Sequence, residues 1–203
     1  MKIAKLFWLF ALVLSFVACK EETDESQDEY ANWKARNEAY LKTIAAKAEA
    51  DPSNWRKLCT YSKEEAVATD ITDFVYVEVL ESGAETTSPT GTDSVRVSYI
   101  GRLMPTDRHP QGLVFDSSVN TSGDGGFSFR TNATRKFYMA TLTDGFLTAL
   151  LYMHRGDHWR IHVPYQLGYG SSSSGLVQPY SVLTFELALH DFAPAGEALK
   201  PWS

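Results

Sequence analysis

From Leu142 to Gly170 the chain reads LTDGFLTALLYMHRGDHWRIHVPYQLGYG, and this stretch holds both of the periods that set the fold. Asp144 opens a helix with Phe146, Leu147, Leu150 and Leu151 on one face, and Gly156 is its expected C-terminal stop. Trp159, Ile161 and Val163 then alternate with His158, Arg160 and His162, the two-residue period of a half-buried strand. The alternation recurs on both sides. Phe74–Leu80, Val95–Ile100, Leu113–Phe115, Phe127–Phe129 and Val182–Leu189 are expected strands, separated by turn-rich segments such as Glu81–Gly91. Many strands around a single good helix predict an antiparallel α+β domain with the helix covering one face of the sheet.

Ahead of this domain the period changes. Tyr30, Trp33, Tyr40, Leu41, Ile44 and Ala48 recur at helical spacing between charged residues, which predicts a helix over 29–50. Asp51 ends it, because the residue before Pro52 is pushed out of helical backbone. Trp55 and Leu58 are expected to pack this part back onto the main domain, and Ser62 with Glu65 has the spacing of a capping box for a shorter helix. The chain thus divides into a leader (1–18), a tether (19–28), a helical appendage (29–70) and the main domain (71–203).

The leader carries Lys2 and Lys5, an apolar run from Leu6 to Val17 and a small residue, Ala18, before Cys19. The run falls short of the roughly 20 residues that a spanning helix needs and suits a signal peptide. Phe16-Val17-Ala18-Cys19 resembles a bacterial lipobox, with Phe16 where Leu is usual; the resemblance implies lipidation of Cys19 and anchoring to the outer membrane of the cell envelope. Cys59 would then be the lone remaining cysteine, with no internal disulfide to form. Lys20-Glu21-Glu22 resembles an acidic surface-sorting tag and reads equally well as a solvated tether. In the whole chain of 203 residues, 44% are hydrophobic, enough for a real core. The net charge of −6, with no clustered basic face, argues against nucleic acid as a partner.

Five landmarks between Phe74 and Phe192 resemble, in the same order, those of FKBP-type peptidyl-prolyl isomerases. They are Val97-Ser98-Tyr99-Ile100-Gly101, Val114-Phe115-Asp116-Ser117-Ser118, the helix bracketed by Gly145-Phe146 and Met153-His154-Arg155-Gly156, Val163 to Gly170, and Leu183-Thr184-Phe185-Glu186-Leu187. The resemblance implies an FKBP-like sheet wrapped on one short helix. It places Tyr99, Phe115, Phe127, Phe146, Val177 and Phe185 around a prolyl ring, with Asp116 and the Tyr169 hydroxyl as polar groups and Leu142-Thr143 as the ligand-anchoring segment. Ser171–Gly175 would form the loop above. Such a site isomerises X-Pro bonds in proline-containing polypeptides without metal or cofactor. The departures are Phe146 in place of Trp, Thr143 in place of an aliphatic residue, Gln178 in place of Pro, and extra residues at 104–112 and between Phe129 and Leu142. They leave open a catalytically weak chaperone or peptide-binding module. The N-terminal helix is also a candidate surface for a homodimer.

Rival chemistries fit less well. His154, His158 and His162 would make a metal stripe on one helix, but Gly156 is expected to interrupt it. Gly170 and Gly175 have the spacing of a phosphate loop, yet Leu176-Val177 follows where Lys and Ser or Thr are needed.

Overall fold

The computed structural model describes residues 29–119, 127–128 and 133–200. The leader, Cys19 and the tether lie outside the described residues, as does Phe129 of the strand expected at Phe127–Phe129. The first element is helix α1 (Trp33–Ala50), entered from Asn32 in left-handed backbone. Its buried residues Trp33, Asn37, Leu41, Ile44, Ala45 and Ala48 form one stripe, so burial on a single face organises it. The Asp51 carboxylate then accepts from Ser53 Oγ and Asn54 Nδ2 and fixes the exit.

Strand β1 (Trp55–Cys59) follows and pairs antiparallel with β2 (Phe74–Glu81). The sheet therefore begins inside the segment read from sequence as a helical appendage. Between the two strands the expected shorter helix is a single 3-10 turn, Glu65–Val67, without a side-chain cap. A capping box is present further on: Asp70 caps the 3-10 turn Ile71–Asp73, and the side chains of Asp70 and Asp73 accept one another's backbone N–H groups.

The remaining strands are β3 (Ser94–Arg102), β4 (Val114–Ser117), β5 (Arg135–Tyr138), β6 (His158–Val163) and β7 (Leu183–Ala193). They form one antiparallel sheet in the order β1-β2-β6-β7-β3-β4, with β5 sharing the outer edge of β3. Helix α2 (Asp144–Tyr152) lies across the inner face. Phe146, Leu147, Ala149 and Leu150 of α2 join Val75 and Val77 of β2, Trp159 and Ile161 of β6 and Leu187 of β7 in the main core. A side chain at Gly145 would put its Cβ 2.3 Å from Val163 Cγ1, so glycine there lets helix and sheet approach. The helix ends at Tyr152, with Met153 as its C-cap, earlier than the sequence suggested. Gly156, at φ 93°, sits in the turn that follows, where Asp157 accepts from Gly83 N and His154 N.

The other face of the sheet is covered by α1. Leu41, Ile44, Ala45 and Ala48 pack on Phe74, Tyr76 and Val182. On this face His162 stacks on Trp55 at 5.6 Å and bonds Thr184 Oγ1 through Nδ1, while His158 bonds Glu186. Among the described residues no three metal-ligating side chains converge.

Burial pushes the His162 imidazole down to about 3, and that of His190 down to about 4. Both rings stay neutral when folded, whereas an unfolded histidine takes up a proton near pH ~6.5. Below that point the unfolded chain binds more protons, so this contribution to stability is complete above about pH 6.5 and is lost as pH falls. Thermal melting between about pH 7 and about pH 4.5, above most carboxylate titration, should show a falling midpoint, with at most about 1.4 kcal/mol per pH unit from each ring. His162→Phe keeps a ring on Trp55 and should flatten the slope; an unchanged slope would exclude His162 as a contributor.

Candidate functional site

Five aromatic rings from five elements meet at one end of the core. Phe146 of α2 lies 4.9 Å from Phe185 of β7 in an edge-to-face contact at 82°. Tyr99 of β3 touches both, at 6.0 and 6.4 Å. Phe115 of β4 stands edge-on to Phe185 at 5.5 Å, and Phe137 of β5 lies 5.7 Å from Tyr99 and 6.2 Å from Phe146. Tyr99, Phe146 and Phe185 are buried, whereas Phe115 and Phe137 are half-buried. The group is therefore an apolar floor with a partly open rim, a surface suited to a small apolar ring.

The strand pairing explains the convergence. In the β3–β7 ladder Tyr99 is opposite Leu187 and Gly101 opposite Phe185. Gly101 matters for what it lacks: a Cβ there would lie 2.7 Å from the Phe115 ring and 2.9 Å from the Phe185 ring. Phe115 and Phe185 can touch because that space is empty.

One edge of the floor is polar. The Tyr99 hydroxyl donates to Asp116 Oδ2 at 2.6 Å, and Arg135 Nη1 donates to the Tyr99 oxygen at 2.7 Å. Arg135 also reaches Asp116 Oδ1 at 3.3 Å. Burial, followed by the hydrogen bond to Asp116, holds the Tyr99 phenol well above the ordinary tyrosine range, with smaller charge effects that include Tyr169. Tyr99 thus remains a neutral, oriented donor. Asp116 Oδ1 also accepts from Ser117 N, a local bond within β4.

Leu142 and Thr143 lead directly into α2, Leu142 half-buried against the main core. Thr143 O accepts from Leu147 N, and the Thr143 N–H has no acceptor among the described residues. Val177 is buried in the same core, and Tyr169, 39% exposed, stands in the loop between β6 and β7.

Phe127 belongs elsewhere. It stacks on His158 at 4.4 Å and 13°, and His158 points away from the inner face that its neighbour Trp159 occupies. The inner position expected for Phe127 belongs to Phe137, opposite Val95 in the β3–β5 pairing. Arg135 and Phe137 were not anticipated from sequence; the usable signal was their two-residue spacing, which puts both on one strand face toward Tyr99. Within the extra residues at 104–112, Met104 is buried in the main core, while Thr106 Oγ1 and His109 Nδ1 both bond Glu29.

With the fold and the ring cluster in view, the chain can be set beside known proteins. Residues 85–190, just over half the chain, match the family model for FKBP-type peptidyl-prolyl cis-trans isomerases. The chain belongs to the FKBP family. It is 34% identical over 116 residues to the macrophage infectivity potentiator of Trypanosoma cruzi, covering 57% of this chain and 51% of that one. It is 30% identical over 168 residues to the FKBP-type isomerase FkpA of Escherichia coli, covering 83% and 55%. The chain thus spans about half the length of these relatives. The crystal structure of Escherichia coli FkpA superposes with a TM-score of 0.54 at 25% identity, over 84% of this chain and 65% of that one. An isomerase structure from Pseudomonas syringae, at 24% identity and a TM-score of 0.52 over 77% and 96%, bears on the fold alone.

Gly101→Ala should force Phe115 and Phe185 apart and cost about 1–3 kcal/mol of stability, as overpacking does. Aromatic side-chain NMR shifts of the two rings would report it. Unperturbed shifts in a stable variant would show that the rings tolerate the methyl group.

Proposed function

We propose that this chain is a peptidyl-prolyl cis-trans isomerase assisting the folding of exported or surface proteins, and that the five-ring floor receives the prolyl ring. The observation that carries this reading is the closure of Tyr99, Phe115, Phe137, Phe146 and Phe185 beside the Tyr99–Asp116–Arg135 bonds. The barrier to rotation, roughly 18–20 kcal/mol, is the amide resonance that the twisted form loses. For X-Pro the two ground states differ little, yet exchange takes tens of seconds or longer. Water stabilises the planar, charge-separated amide, so an apolar floor that excludes water favours the twisted one. The Tyr169 hydroxyl and the Thr143 N–H are the donors available to hold the flanking carbonyls. Because the Thr143 donor is a backbone group, replacing an aliphatic side chain with threonine does not remove it.

A catalytically weak binding or chaperone module is the second reading, supported by the open rim and by Phe146 where the family has tryptophan. The two readings separate in one assay of residues 20–203 on short X-Pro peptides. The isomerase reading expects acceleration well above the uncatalysed exchange. Phe146→Ala should lower kcat/KM by roughly ten-fold or more, equivalent to about 1.4 kcal/mol per decade, and Tyr169→Phe should lower it less. Circular dichroism checks that each variant is folded. No acceleration from the folded parent protein would sink catalysis and leave binding.

We further propose that Cys19 is lipidated and holds the protein at the outer membrane, a reading supported by the Phe16-Val17-Ala18-Cys19 run. Cys19→Ser should move the protein from the membrane fraction to the soluble one; an unchanged distribution would rule the anchor out. A homodimer through α1 is disfavoured, because Leu41, Ile44, Ala45 and Ala48 are already buried on the chain's own sheet.

A further inference from the structure

The helix ahead of the isomerase-like sheet does more than cover it. Its first two turns reach the end of the long segment, 164–182, that joins β6 to β7 and carries Tyr169 and Val177. Trp33 Nε1 donates to Ser181 Oγ at 2.9 Å, a buried bond across 148 residues of sequence. Asn37, with no solvent exposure, accepts from Val182 N at 2.8 Å and returns its own amide N–H to Trp33 O at 2.8 Å. Ser181 Oγ in turn donates to Gln178 O. Asn37 is the one polar residue on the buried stripe of α1, and its donor and acceptor are both used.

The loop held in this way is closed on itself. Tyr180 N donates to Gly170 O and Gly170 N donates to Tyr165 O, while Ser174 and Val177 exchange backbone bonds. Tyr180 adopts φ 63°, left-handed backbone that a non-glycine residue keeps only when its surroundings enforce it. The surroundings here include α1: the Tyr180 ring stands edge-on to Tyr165 at 5.3 Å, with the Lys34 ammonium 5.7 Å from its centroid. The strained residue lies directly before the two residues that α1 grips.

We propose that Trp33 and Asn37 are positioning residues for the candidate site: α1 clamps Ser181 and Val182 and thereby holds the Tyr169 loop over the aromatic floor. The inference rests on the reading of that floor as the prolyl site. Neither side chain touches substrate; both act through the loop.

Amide hydrogen exchange and isomerase kinetics on residues 20–203 together test it. Trp33→Phe removes one N–H and keeps an aromatic ring, and Asn37→Ala removes the acceptor for Val182. Ile44→Val, further along α1 and packed on the sheet, serves as a destabilised control. The clamp predicts that Trp33→Phe and Asn37→Ala speed exchange at Gly170, Val177 and Tyr180 at least ten-fold more than the control. It also predicts that they lower kcat/KM three- to ten-fold and alter its dependence on the residue before proline, whereas Ile44→Val leaves kinetics unchanged. Loop exchange no faster than in Ile44→Val would overturn the proposal, as would a loosened loop with wild-type kinetics. If the parent protein lacked isomerase activity, the proposed function would fall, and the exchange data alone would decide whether the clamp exists.

Discussion

The long antiparallel pairing of β3 with β7 is the constraint on which the molecule turns. Every residue of Ser94–Arg102 has a partner in Leu183–Ala193, through one register shift between Arg96 and Val97. That register brings Tyr99, Gly101 and Phe185 to the same face. A slip of one residue would put Tyr99 and Gly101 on the face opposite Phe185. The free edge of β3 then takes β4 at one end and β5 at the other, and these deliver Phe115, Asp116, Arg135 and Phe137. On its other side β7 pairs with β6, whose Trp159 and Ile161 support α2 and its Phe146. The ring cluster is thus a product of register, and each of its members reports that a neighbouring strand is in place.

Apolar and polar parts of the cluster contribute differently. The rings are held by burial and edge-to-face contact, worth about 0.5–1.5 kcal/mol per pair beyond area. Asp116 and Arg135 are each nearly half exposed, so their ion pair adds little to stability. Their effect is directional: together they fix the Tyr99 hydroxyl, which burial and the bond to Asp116 keep protonated. Loss of either should be felt in the geometry of the site before it is felt in the fold.

Much of this was legible in the sequence where one period dominates. Strands β2, β3, β6 and β7 and helix α2 are long enough for alternation or helical spacing to stand out, and they carry Tyr99, Phe146 and Phe185. What escaped was short or compensated by distant partners. In β1 the run Trp55–Cys59 puts Arg56 and Lys57 in mid-strand, which hides an edge strand whose Arg56 lies over the Trp159 ring. Strand β5 is four residues, three of them exposed, and only its pairing with β3 makes Phe137 a site residue. Phe127 shows the converse: the family resemblance assigned it to the rings, and it stacks instead on His158. Asn37 broke the apolar stripe of α1 without signalling why, because its partner is 145 residues away.

That separation also orders the assembly of the chain in time. Helix α1 leaves the ribosome long before Ser181 and Val182 exist; its apolar stripe can meet Phe74 and Tyr76 of β2 early, but the Trp33 N–H and the Asn37 amide wait for partners 148 and 145 residues further on. Contacts this distant in sequence are slow to form, and in the interval Trp33 and Asn37 lack the loop residues that they hold in the folded chain. The grip of α1 on the β6–β7 segment is therefore among the last contacts to close, after the helix has already met β2.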